Sequence, residues 1–299
     1  MKDKNIKKFN LVFSLIAIIV VLGFTFPGIK QNHDSSSHAN TKEEVESTPK
    51  NTSNSIDNPS SKSTQSTKAK KTRKTNPSNT ANKPKRQKQN DYPRFDPNNI
   101  SDGLYLTKND FILEIEDGVA SIDGVKIVNK SLPVLASVAS SITPETEQAF
   151  KDMQAAIRKE NMDIKIINDY RSYETQAYLF ESYLANDIQE NTETYSARPG
   201  HSEHHLGEAI DIGAGGEMTA LNFDSYNASD WVAENCHKFG FILRYPKNSE
   251  KLTGYIYEPW HFRYVGEELA TILYNDGDWL TIEGYFGLPS EYVNPNIDR

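Results

Sequence analysis

One cysteine in 299 residues, Cys236, excludes an internal disulfide and leaves the folded part to rely on its core and on any metal it binds. The G-x-S-x-G pattern of a serine nucleophile is missing, and so is the helical H-E-x-x-H arrangement of many zinc sites. Cys236 falls with Val232 and Phe239 on the apolar face of a helical pattern, so it reads as a core residue and not as a nucleophile. Aromatic side chains are absent from residues 30–91, where Ser, Thr, Asn and Lys dominate. Such a stretch cannot bury enough apolar surface to fold, so residues 30–92 are predicted to be a disordered polar and basic linker. No internal repeat is present.

Charge is missing from residues 11–29, an uncharged run preceded by Lys2, Lys4, Lys7 and Lys8. A run of this length suits a membrane-spanning helix or a long signal peptide. Phe24-Thr25-Phe26-Pro27 offers no small-x-small cleavage site, which favours a cytoplasmic stub and transmembrane anchor over residues 1–29. The remainder would then be extracytoplasmic, with secretion after cleavage as the alternative. The formal net charge of −8 conceals a split: residues 1–29 carry +3, residues 30–92 carry +7 and residues 93–299 carry −18. The basic linker suits an anionic lipid or wall polymer, or serves only as a solvated spacer; no nucleic-acid partner is expected.

Within residues 93–299, two segments stand out. The first is Ser202-Glu203-His204-His205-Leu206-Gly207-Glu208-Ala209-Ile210-Asp211; the second is Glu258-Pro259-Trp260-His261. His204, Asp211 and His261 are three N/O ligands of the kind a catalytic zinc uses, and Glu258 is a carboxylate placed to handle protons. Residues 206–213 read as a strand, with Gly207, Ala209, Asp211 and Gly213 on one face and Leu206, Ile210 and Ile212 on the other; Glu208 is the exception. Strict alternation through residues 258–265 would turn His261 away from Glu258. Glu258 must then precede the regular strand, or a bulge at Pro259 must turn it inward. His201 and His205 read as loop or supporting groups, and His237 as structural or surface. Each two-residue pair alone is weak evidence for a metal.

Taken together, Ser202-x-His204-x-x-Gly207-x-Ala209-x-Asp211 and Glu258-x-Trp260-His261 resemble the VanY-type D-alanyl-D-alanine carboxypeptidases of bacterial cell walls, a group that includes LdcB-like L,D-carboxypeptidases. The likeness extends to Asp169-Tyr170-Arg171-Ser172, to Tyr195-Ser196-Ala197-Arg198-Pro199-Gly200 and to Arg263-Tyr264-Val265-Gly266, over roughly residues 100–290. It implies one Zn2+ held by His204, Asp211 and His261, with Glu258 as general base and then acid. Arg171 would meet the substrate carboxylate or the oxyanion, and Gln176 and Ser202 would line the substrate pocket. The implied reaction is removal of C-terminal D-alanine from peptidoglycan stem peptides, by D,D-cleavage or, as the 195–200 loop and Gln176 suggest, L,D-cleavage of tetrapeptides. A guanidinium fork suits a free carboxylate independently of any resemblance. The competing reading is a zinc-stabilised wall-binding protein without catalysis.

The expected fold is α+β, with helices packed on a small antiparallel sheet that carries the zinc ligands. Thr143-Pro144-Glu145 starts a helix bearing Phe150, Met153 and Ile157. Residues 164–167 form a strand, and Ser172 caps a helix with Ala177, Phe180, Leu184 and Ile188 inward. Ser229 begins a helix closed by Gly240, residues 241–244 and 255–265 give strands, and residues 267–275 a late helix.

Overall fold

The computed structural model describes residues 91–215 and 222–294. The predicted anchor and nearly all of the predicted linker lie outside these residues; among the described residues no helix is long and apolar enough to cross a membrane.

Four antiparallel strands open the described chain: β1 (Gly103–Leu106), β2 (Ile112–Glu116), β3 (Val119–Ile122) and β4 (Val125–Ile127), in spatial order β1-β2-β3-β4. Asp117-Gly118 and Asp123-Gly124 make the last two connections, with φ positive at all four residues. Such two-residue turns match the twist of the strands they join. The alternation Leu113, Ile115 and Ala120, Ile122 puts one face of this meander into a core shared with Ile242, Leu273, Ile282 and Phe286. The sequence reading did not anticipate this sheet.

The second sheet has the order β5-β6-β8-β7 and is antiparallel throughout. Its strands are β5 (Lys165–Asn168), β6 (Ala209–Gly213), β7 (Phe241–Leu243) and β8 (His261–Tyr264). Helix α1 (Pro144–Arg158) begins where Thr143 accepts a hydrogen bond from the Thr146 amide, and it buries Phe150, Met153 and Ile157. These pack against Ile210 and Ile212 of β6 and Phe262 of β8, together with Val232 and Cys236. Helix α2 (Tyr173–Leu184) starts at Ser172 as expected, but its buried residues are Gln176, Phe180 and Tyr183. Ile188 lies beyond the helix and is exposed. Asn186 and Asp187 end it: the Asn186 amide bonds back to Tyr183 and the Asp187 carboxylate takes the Ile188 amide.

Helix α3 (Asn227–Asn235) starts two residues before Ser229 and runs through a 3-10 turn to Gly240. Helices α4 (Glu267–Tyr274) and α5 (Ile282–Phe286) close the chain over the meander. The expected α+β class stands, with two four-stranded sheets in place of one.

Candidate metal centre

Three separate segments bring the ligands together. In β6, Asp211 lies directly across from His261 of β8 and from Asn168 of β5. Paired residues on neighbouring antiparallel strands share a face, so Asn168, Asp211 and His261 project to one side while Ile210 and Ile212 enter the core. The strand begins only at Ala209. Residues Glu203–Leu206 form a turn of 3-10 helix that carries His204, and Gly207 ends it at φ 67°. A Cβ at Gly207 would lie 2.1 Å from the Ser141 carbonyl oxygen, so this position admits only glycine. Glu258 precedes β8: Pro259 and Trp260 form a turn closed by the His261 amide and the Glu258 carbonyl at 3.3 Å, which returns both side chains to the same cleft. Of the two routes open to sequence, the chain takes the turn and not the bulge.

The candidate ligand atoms of His204, Asp211 and His261 lie within 4.8 Å of one another. His204 Nε2 is 3.4 Å from Asp211 Oδ2, and His261 Nδ1 is 3.2 Å from Asp211 Oδ1. Tetrahedral zinc with bonds near 2.0–2.2 Å places its ligand atoms about 3.3–3.5 Å apart, so these separations fit. Asp211 Oδ1 is buried and accepts no hydrogen bond, whereas Oδ2 accepts one from Asn168 Nδ2 at 3.0 Å. Each imidazole is tied at its far nitrogen. His204 Nδ1 donates to the Asp169 carbonyl at 2.5 Å, and His261 Nε2 to Glu203 Oε2 at 3.3 Å. These bonds leave Nε2 of His204 and Nδ1 of His261 facing the centre, as a metal requires.

Electrostatics in the cleft follow from burial and close packing. Burial pushes Glu258 up to about 8, an effect partly offset by His261. For His261, burial acts downward, but the neighbouring carboxylates of Asp211 and Glu203 outweigh this and lift it to about 9. Asp211 is buried, yet His204 and His261 hold it well below the usual carboxylate range. Burial lowers His204, keeping it neutral and able to bind metal.

The cleft above these groups encloses about 360 Å³ and is lined by Arg171, Tyr195, Ser196, Ser202, Tyr245 and Trp260 among others. Arg171 sits between β5 and α2, with Nη2 4.0 Å from Asp211 Oδ2. Ser202 lines the cleft as the sequence suggested. Gln176 does not: it is wholly buried behind the wall, with Oε1 accepting from Arg171 at 2.7 Å and Nε2 donating to the Ala197 carbonyl at 2.7 Å. Its amide is consumed in joining the arginine to the 195–197 loop, so it positions the pocket without contacting what enters it. His205 takes the Gly200 amide on Nε2 and donates from Nδ1 to the Arg171 carbonyl, which confirms a structural place. Cys236 is buried and its thiol is pushed far up by burial. Asn168 and Glu203 were missed as site residues; Glu203 stood beside His204 in the motif, but only the fold reveals its partner.

A cleft with three converging N/O ligand groups, an adjacent carboxylate and a guanidinium defines a protein of α+β type with a candidate metal centre. The sequence model described as VanY, D-alanyl-D-alanine carboxypeptidase, matches residues 139–267. YodJ of Bacillus subtilis (strain 168) is 41% identical over 147 residues, 48% of this chain and 53% of its own length. A D-alanyl-D-alanine carboxypeptidase of Enterococcus faecalis (strain ATCC 700802 / V583) is 38% identical over 144 residues, 45% of this chain and 52% of its own. The crystal structure of the L,D-carboxypeptidase DacB from Streptococcus pneumoniae superposes with a TM-score of 0.54 at 30% identity, covering 62% of this chain and 100% of DacB. The chain belongs to the VanY family of D-alanyl-D-alanine carboxypeptidases. It spans about half the length of the curated relatives YodJ and the Enterococcus faecalis enzyme.

Proposed function

We propose that this chain is a zinc-dependent carboxypeptidase that removes C-terminal D-alanine from peptidoglycan stem peptides, with D,D-cleavage as the first reading. The observation that carries it is the convergence of His204, Asp211 and His261 with Glu258 and Arg171 in one cleft. One zinc ion held by the three ligands would polarise the scissile carbonyl and make water a better nucleophile. Glu258, whose Oε2 is 3.6 Å from His261 Nδ1, takes the proton of the attacking water and returns it to the departing amine. Arg171 receives the terminal carboxylate or the developing oxyanion through its fork, aimed by Gln176. Ser202 contributes a hydroxyl to the same wall.

Glu258→Ala should retain one equivalent of zinc and lose about 10²–10⁴-fold in turnover, since that is the usual worth of a positioned acid–base group. Unchanged turnover sinks the assignment, and so does absence of zinc from the purified wild type. The second reading is L,D-cleavage, supported by superposition on the full length of DacB. Released D-alanine measured with pentapeptide and tetrapeptide stems separates the two, and release from neither leaves the non-catalytic wall-binding alternative.

The uncharged run over residues 11–29 and its preceding lysines support a membrane anchor with the domain outside, where such peptides lie. External protease should then remove the domain from cells whose wall has been stripped; full protection overturns this placement.

A further inference from the structure

Behind the centre lies a chain of charge, partly exposed at Lys126 and buried from Arg263 to Glu283, that no step of the proposed reaction uses. Lys126 Nζ meets Glu208 Oε1 at 2.6 Å, and Glu208 Oε2 meets Arg263 Nη2 at 2.6 Å. Arg263 Nη1 approaches Glu203 Oε1 at 3.4 Å, and Arg244 Nε donates to that same oxygen at 2.8 Å. Arg244 then clasps Glu283 of α5 with Nη2 at 2.6 Å and Nη1 at 2.9 Å. The side chains of Arg244, Glu203 and Glu283 are each 1% exposed, and that of Arg263 is fully buried. Three cations thus alternate with three carboxylates. Burying so many ions is no route to stability, because desolvation offsets their attraction. Their arrangement calls for another reason.

The division of Glu203 between its neighbours supplies one. Both arginines draw on Oε1, away from the cleft, while Oε2 alone faces His261 Nε2 at 3.3 Å. Glu203 nevertheless belongs to the cleft lining. Released from its arginines, a carboxylate there could swing toward the centre as a fourth protein ligand, and a four-ligand zinc is closed to water and substrate.

We propose that Glu203 is the positioning residue of this centre: anchored through Oε1 by Arg244 and Arg263, it fixes the His261 tautomer through Oε2 and is itself kept out of the coordination shell. The anchor runs through Arg244 to Glu283, which lies outside the segment matched by the family model. The inference rests on the reading of His204, Asp211 and His261 as a zinc site.

Glu203→Gln is the sharpest test. With its oxygen held by the arginines, the new amide would present N–H to His261 Nε2, and the ring would have to turn a protonated Nδ1 toward the metal. Zinc affinity, read by competition with a chromophoric chelator at a temperature where circular dichroism shows the variant folded, should fall 10–100-fold. Arg244→Lys cannot span both carboxylates and leaves Glu203 Oε1 only the longer contact to Arg263 at 3.4 Å. Its zinc affinity should be equal to or higher than wild type, while turnover falls at least tenfold. If Glu203→Gln does not fold, Glu203→Asp, which keeps the charge but withdraws it from the ring, should still lose about tenfold in zinc affinity. Wild type and a folded Glu203 variant binding zinc equally would overturn the proposal alone. A wild type that takes up no zinc would overturn the metal reading, and this inference with it.

Discussion

Lys130 shows how far one side chain can depart from its ordinary chemistry here. Its ammonium donates to the Gly254 carbonyl at 2.7 Å and lies 4.6 Å from the Tyr255 ring and 5.4 Å from that of Tyr292. Burial lowers its pKa from 10.5 to about 8, against a smaller opposing pull from Glu193. The folded state therefore holds this proton less tightly than the unfolded chain does. The resulting contribution is fully present above pH 10.5 and is lost as pH falls to about 8. At roughly 1.4 kcal/mol per unit, the change across that window is on the order of 2–3 kcal/mol. Urea midpoints of wild type and Lys130→Met should diverge accordingly between pH 8 and 10.5, with wild type gaining as pH rises. A difference that stays flat over this range would show that the amine is not desolvated as described.

At the scale of elements, the short segment from Glu203 to Gly213 carries most of the design. Gly207 separates the 3-10 turn that bears His204 from the strand that bears Asp211, and its carbonyl accepts the Thr143 amide at 2.9 Å, next to the start of α1. Gly207→Ala adds left-handed strain and a backbone clash, so a loss of about 3 kcal/mol or more is expected, together with weaker zinc uptake. A variant within about 1 kcal/mol of wild type in urea denaturation would show that this junction is not fixed. Much of this region was legible in sequence. The Thr143 and Ser172 caps, the strand leading to Arg171, and the closure at Gly240 all follow from local rules that act over three or four residues. The meander was legible too, in Asp117-Gly118 and Asp123-Gly124 flanked by alternating Leu113, Ile115, Ala120 and Ile122. What could not be read were contacts closed by tertiary packing. Glu203 with His261 joins residues 58 apart, and Gln176 turns inward because Ala197 offers it a carbonyl 21 residues on. Neither partner leaves a mark on local spacing.

Over the whole described domain, the cleft is braced by residues far from its lining in sequence. Its outer wall at Tyr195, Ser196 and Ala197 continues into Arg198, whose backbone amide donates to the Tyr292 hydroxyl at 3.0 Å. The Arg198 guanidinium stacks 4.0 Å from the Tyr292 ring and also meets Glu193 at 2.6 Å. His201, bonded to the Asn129 carbonyl at 2.9 Å, packs edge-on to the same ring at 5.1 Å. Tyr292 thus clamps this wall of the cleft through Arg198 and His201, and it sits beyond the segment matched by the family model. Removing it should leave the metal in place and loosen the wall. Tyr292→Ala is expected to bind one equivalent of zinc as wild type does while KM rises about tenfold, equivalent to roughly 1.4 kcal/mol of substrate binding. Tyr292→Phe keeps the stacking face and loses one hydrogen bond, so its KM should fall between the two. Should Tyr292→Ala instead lose zinc in proportion to activity, the end of the chain would be supporting the metal centre and not the wall, and the division between them drawn from these contacts would fail.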